Sequence, residues 1–213
     1  MLRWIMTLWF FALPAHADGE RAGDFDYYVM SLSWTPTWCD LTGDVRQSPQ
    51  CATGKGKGNG FTLHGLWPQY TQGGYPSYCR TLQRNPSHTM TNDMADIMGT
   101  SGLAWYQWEK HGRCSGLSAA DYYALARKAY ATVNRPAIFR KLKTDITLPA
   151  SVVEAAFMET NPTLLQTHIT ITCQARKIQE VRICLTKDME LMKCGYDVSR
   201  DCALRDAEMG KMR

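Results

Sequence analysis

Two histidines stand in surroundings whose residue types could do chemistry. His64 lies in FTLHGLWPQ (residues 61–69), at the end of an apolar run and directly before Gly65, whose missing Cβ lets backbone or ligand come close. Trp67-Pro68 sets a large flat ring on a stiffened turn beside it. His111 lies in WYQWEKHGRC (residues 105–114). On a helix, Gln107 and His111 are four apart and Lys110 is three from Gln107, so an amide, an ammonium and an imidazole share one face. Trp105 and Trp108, three apart, would anchor the other face in the core. The remaining histidines of the chain's body read as bland: His88 as a solvated loop residue and His168 as a structural residue in an alternating strand. There is no H-E-x-x-H, no C-x-x-C and no G-x-S-x-G, so neither a zinc site nor a serine hydrolase is indicated.

Elements must position these groups. Residues 25–34 (FDYYVMSLSW) read as a largely buried strand and residues 61–67 as a second, short one. Residues 35–60 read as loop, ending in a Gly/Lys run (54–60) that fits neither a P-loop nor a dinucleotide fingerprint. Short helices are expected over 92–98, stopped by Gly99, and over 138–142; a longer one over 103–111 is closed by Gly112. Ser118 with Asp121 resembles a capping box opening a helix to Val133, and Ser151 with Glu154 another box before 152–158. Residues 166–173 (QTHITITC) alternate with period two, residues 177–185 are strand-like, and residues 205–213 read as a frayed polar end. Strands at both ends with helices between them give an α+β fold: a single domain with a central, mainly antiparallel sheet flanked by helices.

The chain has 213 residues, 45% hydrophobic and 21% charged, which suits one globular domain and excludes a disordered, collagen-like or coiled-coil protein. A net charge of +4 permits a polyanionic partner without demanding one. Arg3, the apolar run 4–13 and Ala15-His16-Ala17 read as a secretory signal over residues 1–17, leaving 18–213 as the mature domain. That apolar run is too short for a membrane anchor, which needs about 20 residues. Export would expose eight cysteines to an oxidising compartment, making a disulfide-stapled domain the expectation, although eight cysteines allow 105 pairings.

Together the two histidine segments resemble the active-site segments of the ribonuclease T2 family of secreted, metal-independent endoribonucleases. The first family segment centres on His-Gly-Leu-Trp-Pro, here residues 64–68; the second centres on Glu-x-x-Lys-His-Gly, here residues 107–112. The resemblance covers nearly all of the chain after the leader, and the helix-rich stretch between Cys114 and Cys173 is similar to that of bacterial members. It implies cleavage of single-stranded RNA by transesterification through 2′,3′-cyclic phosphates, with no cofactor and no metal, by a monomer in the periplasm or outside the cell.

In that chemistry His111 would take the proton of the 2′-hydroxyl as general base and His64 would protonate the leaving 5′-oxygen as general acid. Two imidazoles titrating near ~6.5 can do both. Lys110 and Gln107 would stabilise the phosphorane. Trp67 and Tyr75 match positions that sandwich a base, Gln69 one that is often Asp and reads the base edge, and Tyr106 would offer its hydroxyl to phosphate. Gln107 stands where the family usually has Glu, so the alternative is an RNA-binding relative with weakened catalysis. The resemblance also implies the disulfides Cys39–Cys51, Cys79–Cys114, Cys173–Cys202 and Cys184–Cys194.

Overall fold

Strand β1 (Tyr27–Trp34) is the centre of the molecule, and its alternation explains why nearly every residue in it is buried. Tyr28, Met30, Leu32 and Trp34 enter the main core, while Tyr27 and Val29 enter a small cluster on the opposite face with Cys184, Cys194 and Val198. The coordinates are a computed structural model that describes residues 20–52 and 60–213; the expected leader and most of the Gly/Lys run lie outside the described residues.

On one side β1 pairs antiparallel with β2 (Phe61–Gln69), and on the other with β5 (Lys177–Leu185), whose far edge carries β4 (Ile169–Gln174). Two three-residue strands, β3 (Ile146–Leu148) and β6 (Ala207–Met209), complete a six-stranded sheet. They pair antiparallel with each other, and β6 meets β5 in parallel at Lys177. Among the described residues six helices flank the sheet: α1 (Thr35–Trp38), α2 (His88–Asp93), α3 (Ala95–Met98), α4 (Ser101–Lys110), α5 (Ala119–Thr132) and α6 (Ala150–Thr160). The result is a single α+β domain with the mainly antiparallel sheet its sequence suggested. No helix among the described residues is long and apolar enough to cross a membrane.

Several local expectations are corrected. His88 is the first residue of α2, because Ser87 accepts from the Met90 N–H and caps a helix there. Helix α6 starts at Ala150 behind Pro149, so Ser151 sits inside the first turn and cannot cap; Glu154 turns inward and is buried. Residues 166–168 form a 3₁₀ turn before β4 begins at Ile169. The stretch 35–51 winds into α1, a π turn over Cys39–Gly43 and a 3₁₀ turn over Pro49–Cys51. The end expected to fray instead forms β6, with Ala207 and Met209 buried in the core.

All four implied disulfides are present, Cys39–Cys51, Cys79–Cys114, Cys173–Cys202 and Cys184–Cys194, each contributing about 2–4 kcal/mol. Cys79–Cys114 ties the loop after β2 to the turn after α4. Cys184–Cys194 ties β5 to the loop that returns over it.

Candidate active site

A bulge in β2 puts His64 where it is. Leu32 of β1 faces Leu63 and Ser31 faces Gly65, so His64 is the extra residue with no partner across the ladder. Without it, regular alternation would place Leu63, Trp67 and Gln69 on one face. With it, Leu63 and Leu66 both enter the core, while His64, Trp67 and Gln69 share the other face. Tyr122 of α5 donates its hydroxyl to the Leu66 carbonyl at 2.9 Å, which pins the strand just past the bulge.

Helix α4 brings the second segment to the same face. Thr100 caps it by accepting from the Leu103 N–H at 3.1 Å, and Ala104, Gln107 and Trp108 form its buried stripe. His111 follows as the residue at the helix end, its N–H bonded to the Gln107 carbonyl. Gly112 is needed for close approach: a Cβ there would lie 2.7 Å from the Trp108 ring and 2.8 Å from that of Tyr122. Trp108 is in the core as expected, but Trp105 is exposed. One turn of α4 covers too narrow an arc to bury both tryptophans along with Gln107.

All eight residues singled out in the sequence, His64, Trp67, Gln69, Tyr75, Tyr106, Gln107, Lys110 and His111, line one cavity of about 290 Å³. Trp67 sits between the imidazoles. Its ring is stacked on His111 at 5.3 Å between centroids and edge-on to His64 at 5.2 Å. Its indole N–H donates to Gln107 Oε1 at 2.7 Å. An indole can only donate, so this bond fixes the amide oxygen on Trp67 and leaves the amide's other end as a donor. Gly65 makes room for it, since a Cβ there would lie 2.2 Å from that oxygen and 2.3 Å from the indole nitrogen. Tyr75 approaches His111 at 5.4 Å, and the Lys110 ammonium lies over the Tyr75 ring at 5.6 Å.

The two imidazoles have opposite surroundings. His64 Nδ1 is 2.5 Å from Glu180 Oε1, and the other oxygen of that carboxylate accepts from Arg182 Nε and Nη2 at 3.0 and 2.8 Å. Burial alone would push the Glu180 carboxyl up, but the bond to His64 and the charges of His64 and Arg182 outweigh it and hold it at about 2. His111 is 4% exposed, with Nδ1 buried and no hydrogen-bond partner among the described residues. Burial, helped by the charges of Lys110 and His64, drives its pKa down to about 3. One ring therefore has a carboxylate on its Nδ1 and the other is kept neutral.

Glu180, Arg182, Asp197, Val29 and Val198 complete the cavity and its support, and none was singled out in the sequence. Glu180 and Arg182 carried a readable signal: two charged residues two apart in the apolar strand KIQEVRICL share one face of the sheet. Asp197 carried none. Its carboxylate accepts from the Gly74 N–H at 2.7 Å and so fixes the turn that presents Tyr75.

A family model, the Ribonuclease T2 family, matches residues 25–194. A ribonuclease of Aeromonas hydrophila is 43% identical over 126 residues, 59% of this chain and 54% of that protein; the match thus spans about half the length of that relative. Ribonuclease DdI of Dictyostelium discoideum is 27% identical over 194 residues, 83% of this chain and 81% of that protein. Among solved structures, RNase NT in complex with 5′-AMP superposes with a TM-score of 0.62 at 19% identity, covering 89% of this chain and 100% of that one. Trichomaglin, an S-like ribonuclease, does so with a TM-score of 0.66 at 18% identity, covering 88% and 97%. At those identities the likeness is one of fold.

Proposed function

The chain belongs to the ribonuclease T2 family, and we propose that it is a secreted, metal-independent endoribonuclease that cuts single-stranded RNA through 2′,3′-cyclic phosphates. RNA carries its own nucleophile beside the scissile phosphate, so the protein needs a base for the 2′-hydroxyl proton, an acid for the 5′-oxygen and donors for the phosphorane. The observation that carries this reading is the unlike pair of imidazoles on one cavity. Environments that separate two like groups assign their roles.

His111, neutral through burial and held flat against Trp67, is the base. His64, with Glu180 on Nδ1 as counter-ion and orienter, is the acid. Once the cyclic ester has formed, the roles reverse for its hydrolysis. Lys110 supplies positive charge to the phosphorane oxygens, where a donor in a water-poor site is worth several kcal/mol. Gln107 supplies a neutral donor, its oxygen being engaged by Trp67. Tyr106 offers its hydroxyl to phosphate, Tyr75 its face to a base and Gln69 its amide to the base edge. Trp67 serves His111 at least as much as substrate, since its ring already contacts His111 and lies 5.4 Å from the Arg182 guanidinium. The alternative of an RNA-binding relative rests on Gln107 alone. An amide in that place keeps the bond to Trp67 and loses the charge and the capacity to carry a proton.

Incubation with single-stranded RNA and with DNA of the same sequence, both in excess EDTA, tests the reading. RNA should be cut and DNA left intact, because DNA lacks the internal nucleophile. Loss of RNA cleavage in EDTA would contradict the metal-independent mechanism, cleavage of DNA would contradict the 2′-hydroxyl as nucleophile, and tight RNA binding without cleavage would favour the alternative.

A further inference from the structure

Tyr78 takes no part in the chemistry above, yet its position is constrained from several sides. Its φ of 51° lies in the left-handed region that a non-glycine residue rarely occupies. Its N–H donates to the Lys110 carbonyl at 2.9 Å, and its neighbour Cys79 is bonded to Cys114, so it is tied to both ends of the His111 segment. Held in this way, the ring is still 53% exposed.

The ring is also continuous with the site. Tyr75 and Tyr106 are both exposed and both line the cavity, and Tyr78, exposed as well, is bonded through its N–H to the carbonyl of Lys110, another lining residue, so three exposed tyrosines stand at this rim. A single exposed tyrosine needs no explanation. A run of them that is fixed in place, and begins where RNA must enter, matches the stacking platforms of single-strand binding, where each ring takes a base whatever its identity.

We infer that Tyr78 forms a stacking subsite for the base of a nucleotide beyond the two that flank the scissile bond. The preferred substrate is then a longer single strand of RNA rather than a dinucleotide. This rests on the ribonuclease reading of the cavity.

The test compares kcat/KM for a dinucleotide, for trinucleotides extended at the 5′ or the 3′ end, and for the same trinucleotides with an abasic added residue. Each is measured with the unaltered protein, Tyr78→Ala and Tyr78→Phe. One of the two extensions should raise kcat/KM roughly tenfold. The abasic residue and Tyr78→Ala should each abolish that gain, and Tyr78→Phe, which keeps the ring, should preserve it. Dinucleotide cleavage should be the same in all three proteins. Equal rates for dinucleotide and trinucleotides, or a gain that survives Tyr78→Ala, would overturn the subsite while leaving the ribonuclease reading intact. An equal loss on every substrate in Tyr78→Ala would make Tyr78 a structural support and also overturn it. No cleavage of any substrate would overturn both.

Discussion

His111→Ala should lower kcat for RNA cleavage by about 10²- to 10⁴-fold, the range for loss of a general base. The protein should still fold, because the lost ring contributes stacking on Trp67 and contact with Tyr75 but no hydrogen bond through its buried Nδ1. A second readout separates chemistry from damage. In the folded protein His111 stays neutral down to about pH 3, whereas in the unfolded chain it takes up a proton near ~6.5. The unfolded state therefore binds more protons between those values, and this residue's contribution to stability is lost as pH falls from about 6.5 toward 3. Melting temperature should thus fall less steeply with acid in His111→Ala than in the unaltered protein. A variant with full activity, or one unfolded at neutral pH, would contradict the role of His111 as a base held neutral by burial.

Glu180→Ala should lower kcat by about 10²-fold with little change in KM, because the carboxylate touches His64 and not the cavity's substrate groups. Without it, His64 loses both the bond that fixes its ring and the counter-ion of its charged form. Glu180→Gln, which keeps an acceptor for Nδ1–H, should recover part of the rate. The sign of the acid effect is the same as for His111. With its carboxyl at about 2 in the fold and near 4.5 when unfolded, Glu180 contributes stability that is present above about pH 4.5 and lost as pH falls toward 2. Glu180→Gln should lack that step in its melting curves. An unchanged kcat in both variants would remove Glu180 from the mechanism.

What could be read ahead of the structure was local, and what could not was set by distant contacts. The spacing of Gln107, Lys110 and His111 on a helix follows from sequence, because it depends on one periodicity. Gly65 before Trp67 announced a close approach, and the structure shows its object: the oxygen of Gln107. The β-bulge at His64 was not readable, because it exists only as a register against β1. Glu180 is 116 residues from His64, so nothing local joins them. The stretch 205–213 looks polar taken as a whole, and residues 207–209 within it become a strand only because β3 and β5 offer them edges. Trp105 shows the same limit in reverse. A tryptophan three residues from a core tryptophan looks buried by pattern, but the arc of α4 that meets the core is filled by Ala104, Gln107 and Trp108.

The most direct test of the central claim is the chemistry of the first products. Single-stranded RNA is digested for a time short against complete turnover, in EDTA, and the fragment ends are identified by mass. Fragments should end in 2′,3′-cyclic phosphate on one side and 5′-hydroxyl on the other, with 3′-phosphate appearing only later as the cyclic ester is hydrolysed. Fragments bearing 5′-phosphate from the start would mean that water, not the 2′-hydroxyl, attacks phosphorus, and the roles assigned to His111 and His64 would be wrong.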